Sequence, residues 1–295
     1  MMLNNRLSTP RRRSAFTLIE IMVAAVITVI MIGLVVQITS EVLKIWNRSV
    51  GKLSANAEAR IAMELLTSDL ETALLVNNGQ QWMRVEAENT VGNPTVGQTV
   101  GLKLFAPALD RPDEPGNICA IAYRLAYAPA YTGAKTNSFV LFRSLEGPRD
   151  TFDDLLGPAG DGRQLELVGD SAPFWADGSI IASDNYLAGN IVDFKIYVYG
   201  EDDAGEEIIL NDIDENGIID QGDDYIYGGN NSSEESPTSA EIFLTVVSDE
   251  GLEILALFAD PAVGGAGTGF DTPEDVILQH GEVFKRRVYF QAKPL

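Results

Sequence analysis

The feature that most constrains this chain is a stretch of 20 residues, from Ile21 to Ser40, that contains no charged side chain. About 20 consecutive apolar residues let a helix cross the hydrocarbon core of a bilayer. Basic residues tend to stay on the cytoplasmic side of such a helix. Four arginines precede the stretch: Arg6, Arg11, Arg12 and Arg13. The sequence therefore predicts a single-pass membrane protein whose N-terminus is cytoplasmic and whose chain after residue 40 lies on the other side of the membrane.

Three kinds of N-terminal segment compete for this pattern. A secretory signal peptide has a shorter apolar region, with its small cleavage residue after that region, whereas here Ala15 comes before it. A plain signal anchor fits the length and the arginines, but it gives no reason for Glu20. An unpaired carboxylate near the start of a membrane helix costs about 2 kcal/mol or more. The third kind of segment supplies a partner for that carboxylate.

The segment Ala15-Phe16-Thr17-Leu18-Ile19-Glu20 resembles the processing site of type IV prepilins and type II secretion pseudopilins. The resemblance implies that prepilin peptidase cuts between Ala15 and Phe16 and then methylates the new amine of Phe16. It also implies that Glu20 meets the positive N-terminus of a neighbouring subunit during assembly. The family usually has glycine where this chain has Ala15.

This resemblance implies a minor pilin or pseudopilin, which is not an enzyme, near the tip of a type II secretion or type IV pilus-like filament. The implied location is the inner membrane, with the head in the periplasm, and then the filament. The implied partners are prepilin peptidase, other pilin or pseudopilin subunits, the inner-membrane assembly platform and membrane lipid. Residues 60–73 are similar to the helix end of J-type minor pseudopilins. An acidic insertion at about 200–239 and the segment from Val283 to Tyr289 resemble the Verru_Chthon cassette protein C group. The alternative function is a membrane-anchored periplasmic binding or adhesion module stabilised by calcium.

The apolar pattern predicts that the helix continues beyond the membrane. Apolar residues recur at a helical period after residue 41, and Asn77-Asn78-Gly79 is a stop signal. The predicted buried stripe contains Leu53, Ala57, Ile61 and Leu65, widened by Leu66, Leu70, Ala73 and Leu74. The predicted polar side contains Glu58, Arg60, Glu64, Ser68, Asp69 and Glu71. The predicted organisation is a basic leader over 1–15, a transmembrane half over 16–40, an amphipathic half over 41–78 and a head over 79–295.

The head has the sequence pattern of strands joined by turns: short aliphatic and aromatic runs are separated by Gly, Pro, Asn and Asp. We therefore predict an α+β fold, in which the long helix packs on a mainly antiparallel β head. The predicted strands are Val100 to Phe105, Ile118 to Ala126, Ser138 to Arg143, Ile191 to Tyr199, Ala240 to Ser248 and Glu282 to Gln291. The segments 106–117, 157–163, 228–239 and 261–273 are predicted loops, and 153–156 and 183–187 are predicted helical turns.

An acidic insertion at about 200–239 contains the one ligand-binding motif of the head. Alternate oxygen-bearing residues around a glycine, Gly217, match the spacing of an EF-hand-type calcium loop. The predicted ligands are Asp212, Asp214, Asn216, the carbonyl of Ile218, Asp220 and Asp223. The flanking segments 207–210 and 224–227 are predicted strands. We therefore predict a hairpin whose two strands are held together by a structural calcium ion in the loop. The alternative is an ordinary acidic turn without a bound ion.

Charge excludes one class of partner. The formal net charge is -22, and four of the 21 basic residues lie in the first 13 positions, which leaves 17 against 43 acidic residues. Nucleic-acid binding needs a basic face, so no nucleic acid is expected. A single cysteine, Cys119, excludes an internal disulfide, and a single histidine, His280, argues against paired-histidine metal sites and a catalytic triad.

Overall fold

The computed structural model describes most of the chain, apart from the side chains of Asn47 and Arg48. The described residues are 17–92, 98–156, 166–202, 204–212, 218–220, 222–229, 233, 235–259 and 263–291. The predicted leader over 1–15 and the predicted loop over 157–163 lie outside these residues.

The first element is one long helix, α1, which spans Leu18–Glu71. It is the one helix in the described part of the chain that is long and apolar enough to cross a membrane. The helix ends at Glu71, short of the predicted residue 78. The chain turns out of the helix here because the N–H of Leu74 donates to the carbonyl of Phe105, at 2.9 Å, in the neighbouring sheet.

The chain divides into two compact units, Met1–Ser49 and Val50–Leu295. In the first unit, each described side chain from Thr17 to Trp46 is exposed. Three hydroxyls of this unit donate to the carbonyl four residues earlier, each at 2.8 Å: those of Thr28, Thr39 and Ser40. Their hydrogen-bonding needs are thus met within the helix, as an apolar surrounding requires.

The described residues of the second unit form ten strands in two sheets, and the pairings between neighbouring strands among them are antiparallel. The larger sheet has the order β5-β4-β3-β2-β1-β8, and the smaller sheet has the order β10-β9-β6-β7. The bounds are β1 Gln81–Asn89, β2 Gln98–Ala106, β3 Cys119–Ala128, β4 Ser138–Glu146, β5 Tyr186–Gly189, β6 Ile191–Glu201, β7 Glu207–Ile209, β8 Tyr225–Gly228, β9 Pro237–Val247 and β10 Gly281–Tyr289.

The α+β prediction and its six strands are confirmed, as β2, β3, β4, β6, β9 and β10. The predicted loop over 228–239 is wrong at its end, because β9 already begins at Pro237. A π-helical turn over Thr151–Leu155 and a 3-10 turn over Ser183–Asn185 correspond to the two predicted helical turns. The remaining helical elements are α2 Pro148–Asp150, a 3-10 turn over Pro173–Trp175, α3 Asp177–Ile180, α4 Asp249–Ala259 and α5 Pro273–His280.

Small residues form the buried face of the second half of α1. Ala55, Ala59 and Ala62 are buried, and Leu66 and Leu70 continue the same face. The predicted stripe is wrong at its start, since Leu53 and Ile61 are 69% and 56% exposed. Its later part is confirmed at Leu66, Leu70 and Ala73, which are buried, whereas Leu65 and Leu74 are half-buried. Small side chains allow the helix backbone to lie close to the sheets. The prediction is wrong here because leucine is more hydrophobic than alanine, so the hydrophobic pattern assigns the buried face to the leucines.

The second half of α1 and the last strand run side by side in the same direction. Near the beginning, Asn56 Nδ2 donates to Oε2 of Glu282 at 3.0 Å, and Lys52 Nζ lies 3.6 Å from the same oxygen. Near the end, the N–H of Gln291 donates to the carbonyl of Glu71 at 3.4 Å. The first and last elements of this unit are therefore joined at both ends.

The two sheets differ in how they are covered. The inner faces of both sheets meet α1 in one core. The outer face of the larger sheet carries a second core around Trp82, Phe105 and Trp175, covered by the segment after β4. Phe105 meets both tryptophans edge to face, with ring centroids 5.4 and 5.6 Å apart. The outer face of the smaller sheet instead carries charged and aromatic side chains that are partly or fully exposed, among them Tyr197 and Phe243.

Candidate functional site

The start of α1 is where the sequence predicts processing and assembly. Ala15 and Phe16 lie outside the described residues, which begin at Thr17. The N–H and the hydroxyl of Thr17 both donate to Oε2 of Glu20, at 2.9 and 3.0 Å. In return, the N–H of Glu20 donates to the hydroxyl of Thr17 at 3.4 Å. Thr17 and Glu20 therefore form a capping box at the helix N-terminus.

This capping box gives Glu20 a local role that the sequence analysis missed. The signal was present in the spacing, because threonine followed three residues later by glutamate before an apolar run is typical of a helix start. A carboxylate in the first turn also lies at the positive end of the helix dipole. Part of the cost of placing Glu20 at the start of an apolar helix is thus offset within its own chain.

The predicted calcium loop lies between two sheets instead of closing a hairpin. The flanking strands are present as β7 and β8, but β7 pairs with β6 in the smaller sheet. β8 pairs with β1 in the larger sheet, so the hairpin prediction is wrong. The pairing follows from burial, since Tyr225 and Tyr227 of β8 are buried in the main core. The loop therefore connects the smaller sheet to the larger one.

Both ends of this loop are fixed by buried polar side chains. The side-chain oxygen Oδ1 of Asn211 accepts from the N–H of Val198 at 2.8 Å, and its side-chain Nδ2 donates to the carbonyl of Ile196 at 2.8 Å. At the other end, Oδ2 of Asp223 accepts from the N–H of Asp220 at 2.9 Å. These contacts hold the loop against β6 at its start and in a tight turn at its end.

The structure describes four of the six predicted ligands. Asp212 and Asp223 are 7% and 4% exposed, Asp220 is half-buried and Ile218 is exposed. Ile219, which lies between two of the predicted ligands, is buried in the core between the sheets and α1. Asp214 and Asn216 lie outside the described residues. Within the described ranges, no three His, Cys, Asp or Glu side chains form a metal-binding group. The calcium ligand set accordingly stays a prediction.

A buried polar cluster joins the end of α1 to the larger sheet. Asp69 was assigned to the polar side of the helix, but it is 1% exposed and faces the sheet. Its Oδ2 accepts from the Tyr123 hydroxyl at 2.5 Å and from Nε of Arg143 at 2.9 Å. The guanidinium of Arg143 also donates to both carboxylate oxygens of Asp110, at 2.7 and 3.0 Å. The helix end is thereby fixed to β3 and β4.

The electrostatics of this cluster favour a charged arginine and a neutral phenol. Burial, together with the Asp69 carboxylate, raises the pKa of Tyr123 well above its ordinary value. Burial alone would lower the pKa of Arg143, but the oxygens of Tyr123, Asp69 and Asp110 raise it overall. The cluster has the properties of a structural tie, since the raised pKa values keep Tyr123 neutral and Arg143 charged across the ordinary pH range.

Comparison with protein-family models matches residues 10–36 to the prokaryotic N-terminal methylation motif. The matched segment includes Ala15, Phe16 and Glu20 and most of the uncharged stretch. Among solved structures, a type IV-like pilin from Thermus thermophilus is similar, with a TM-score of 0.35 and 9% sequence identity over 80% of this chain and 96% of that chain. Comparison with curated proteins gave no match.

Proposed function

We propose that this chain, a type IV prepilin-like protein by its N-terminal methylation motif, is a minor pilin or pseudopilin subunit. In this proposal prepilin peptidase cuts before Phe16, and the subunit passes from the inner membrane into a type II secretion or type IV pilus-like filament. The observation that carries the proposal is the motif match over residues 10–36, on a chain whose first helix can cross a membrane. A place near the filament tip is supported by a head of more than 200 residues, which is bulky for a major subunit.

Processing is tested by mass spectrometry of N-terminal peptides from native membranes. The expected product begins with N-methylated Phe16 and lacks the four leader arginines. Ala15→Gly, which restores the residue usual in the family, is expected to be cut at least as fast as the native chain. Recovery of an intact N-terminus from both chains would reject processing and leave a signal-anchored protein.

Assembly is tested at Glu20 with variants that separate its two roles. Glu20→Gln keeps a side chain that can complete a capping box but loses the charge, whereas Thr17→Val removes the capping hydroxyl and keeps the charge. If Glu20 pairs with the N-terminus of a neighbouring subunit, Glu20→Gln is processed but is depleted from sheared filaments, while Thr17→Val is incorporated. The opposite result, with Thr17→Val depleted and Glu20→Gln incorporated, would assign Glu20 to helix capping alone.

Calcium is the second part of the proposal, as a structural ion in the loop between the sheets. The donor set fits calcium, because four aspartates, an asparagine and a backbone carbonyl offer hard oxygen atoms. Asp212 and Asp223 lie in buried positions at the two ends of the loop. A cation there would supply charge neutralisation for these carboxylates and would link the β7 end of the loop to the β8 end.

The calcium proposal is tested by thermal unfolding of the full-length protein in detergent, with calcium, magnesium or chelator. We expect calcium to raise Tm and chelator to lower it, and Asp212→Asn with Asp214→Asn to remove the calcium response. Asp170→Asn with Asp184→Asn removes the same charge from exposed positions and is expected to keep the response. A native protein with the same Tm in calcium and in chelator would remove calcium from the proposal.

A further inference from the structure

The last strand of the head has an edge that no other described strand covers; the end of α1 reaches this edge just after the strand, where the N–H of Gln291 donates to the carbonyl of Glu71 at 3.4 Å. β10 forms one border of the smaller sheet, and among the described residues its one strand partner is β9. An open strand edge is a template on which another extended segment can pair. With nine residues, β10 is long enough to hold a short segment.

The backbone groups that face this edge can be identified from the ladder. In an antiparallel pair, directly opposed residues alternate between hydrogen-bonded and non-hydrogen-bonded pairs. Two backbone hydrogen bonds flank the ladder: the N–H of Ser248 donates to the carbonyl of His280 at 3.2 Å, and the N–H of Phe290 donates to the carbonyl of Thr238 at 3.1 Å. Both involve even-numbered residues directly before and after β10, so the even-numbered residues of β10 form the hydrogen-bonded pairs with β9. The backbone groups of the odd positions therefore point away from β9, towards the open edge: Val283, Lys285, Arg287 and Tyr289.

The same odd positions carry side chains on the uncovered outer face of the sheet. Val283 and Tyr289 are 60% and 65% exposed, and they stand on either side of the two basic residues. Lys285 lies over the Phe243 ring, with Nζ 4.9 Å from the centroid. Arg287 lies over the Tyr199 ring, with Cζ 4.6 Å from the centroid. A groove of about 440 Å³ runs along this face beside Val283.

The charge of this strand differs from that of the rest of the head. Lys285, Arg286 and Arg287 are adjacent, and after the leader they are the one place where basic residues are neighbours in sequence. Lys285 and Arg287 each meet one carboxylate on the open face, Glu241 at 2.9 Å and Glu207 respectively. Arg286 forms no ion pair with any residue that the structure describes. The edge is thus a basic strip on a strongly acidic protein.

The pattern disfavours a second copy of β10 as the occupant. If the β10 strands of two copies paired antiparallel with their basic residues aligned, Lys285 or Arg287 of one copy would lie opposite a basic side chain of the other. Like charges directly opposed across two strands are destabilising. A segment with carboxylates at those places has the complementary charge.

We propose that the open edge of β10 is a docking site for an extended acidic segment of another protein, which adds to the smaller sheet as a fifth strand. Its backbone pairs with the odd positions of β10. Its side chains on the outer face follow the order apolar, acidic, acidic, apolar at every second residue, opposite Val283, Lys285, Arg287 and Tyr289.

The test uses the full-length protein in detergent and a labelled peptide with valine at positions 1 and 7, glutamate at 3 and 5 and threonine elsewhere. Two control peptides carry lysines in place of the glutamates, or the two glutamates at adjacent positions. Fluorescence anisotropy is expected to show saturable binding of the first peptide, with at least tenfold weaker binding of both controls.

Two variants separate the backbone from the charge contribution. Val283→Pro removes an edge-facing N–H without removing a bond to β9, a place where a strand tolerates proline, and it is expected to abolish binding. Lys285→Gln with Arg287→Gln is expected to weaken binding at least tenfold. Lys135→Gln with Arg149→Gln makes the same charge change at exposed positions outside β10 and is expected to leave binding unchanged.

Four results would overturn the proposal. The absence of saturable binding to the native protein would do so, and so would binding that survives Val283→Pro while Tm remains native. Equal binding of all three peptides would show that charge order is not recognised. A concentration-dependent dimer that Val283→Pro abolishes would make a second copy the occupant of the edge.

Discussion

On the larger sheet, Arg143 is enclosed between α1 and strands β3 and β4, whereas on the smaller sheet Arg287 lies across an open face. The Arg143 side chain is 6% exposed and holds two aspartates. The Arg287 side chain is 31% exposed and contacts one glutamate and two tyrosine rings. The same residue type therefore fixes the helix end in one sheet and leaves a surface available for binding in the other. Three paired substitutions and one single substitution measure this difference, each by urea unfolding of the full-length protein in detergent.

The largest effect is expected from the two arginines. Arg143→Met leaves the Asp69 carboxylate buried without its cation, which should lower the free energy of unfolding by about 4 kcal/mol. Arg287→Met removes an exposed ion pair and should cost less than about 1 kcal/mol. Equal losses in the two variants would show that the two sheets do not differ in this way.

The next effect concerns phenylalanines on the two outer faces. Phe105 is fully buried between two tryptophans, so Phe105→Ala should cost about 3 to 4 kcal/mol. Phe243 is half-buried on the open face, so Phe243→Ala should cost about 1 kcal/mol, including its contacts with Tyr197 and Lys285. A Phe243 variant as unstable as the Phe105 variant would mean that the smaller sheet is covered.

A smaller effect is expected from the tyrosine hydroxyls. Tyr123→Phe removes a buried bond of 2.5 Å to Asp69 and should cost about 2 kcal/mol, because the acceptor is charged. Tyr199→Phe removes a longer bond of 3.3 Å to Glu241 at a half-buried position, and should cost about 0.5 kcal/mol. The prediction fails if Tyr199→Phe is the more damaging of the two.

The smallest effect is a stabilisation on the open face. Burial raises the pKa of Asp193, and Lys195 only partly opposes this. A carboxyl group with a raised folded pKa stabilises the fold below its unfolded pKa of about 3.9, and that contribution is lost as pH rises through the folded pKa. Asp193→Asn avoids this loss, so its advantage, about 0.5 kcal/mol at most, should be present at pH 7 and absent at pH 3. An advantage that is the same at both pH values would assign the effect to another cause.

The sequence predicted the elements whose pattern matches their burial. The first half of α1 is apolar all round, and strands such as β6 alternate between buried and half-buried residues, so both were found. β1 was missed because Arg84 and Glu86 alternate with its apolar residues, and such charges are typical of a solvated face. In the structure these two side chains are largely enclosed and pair at 2.5 Å, and Lys103 joins Glu86 at 2.7 Å.

Other features depend on contacts that sequence patterns do not contain. The alanine face of α1 and the inward position of Asp69 follow from how closely the helix approaches the sheets. The separation of β7 and β8 depends on which strand edges are available, which no local motif encodes. By contrast, two capping boxes were readable, the one at Thr17 and the one in which the Thr272 hydroxyl accepts from the N–H of Asp275 at the start of α5.

The side-by-side course of α1 and β10 has a mechanical consequence. A pull along the helix axis from its N-terminal side is resisted at Glu282 by Lys52 and Asn56, and at Gln291 by Glu71. Because the contacts are spaced along the axis of the pull, they are loaded in shear and share the force, instead of breaking one after another. The last strand thus supports the helix against a pull along its axis, and tension on the helix is transmitted directly to the smaller sheet.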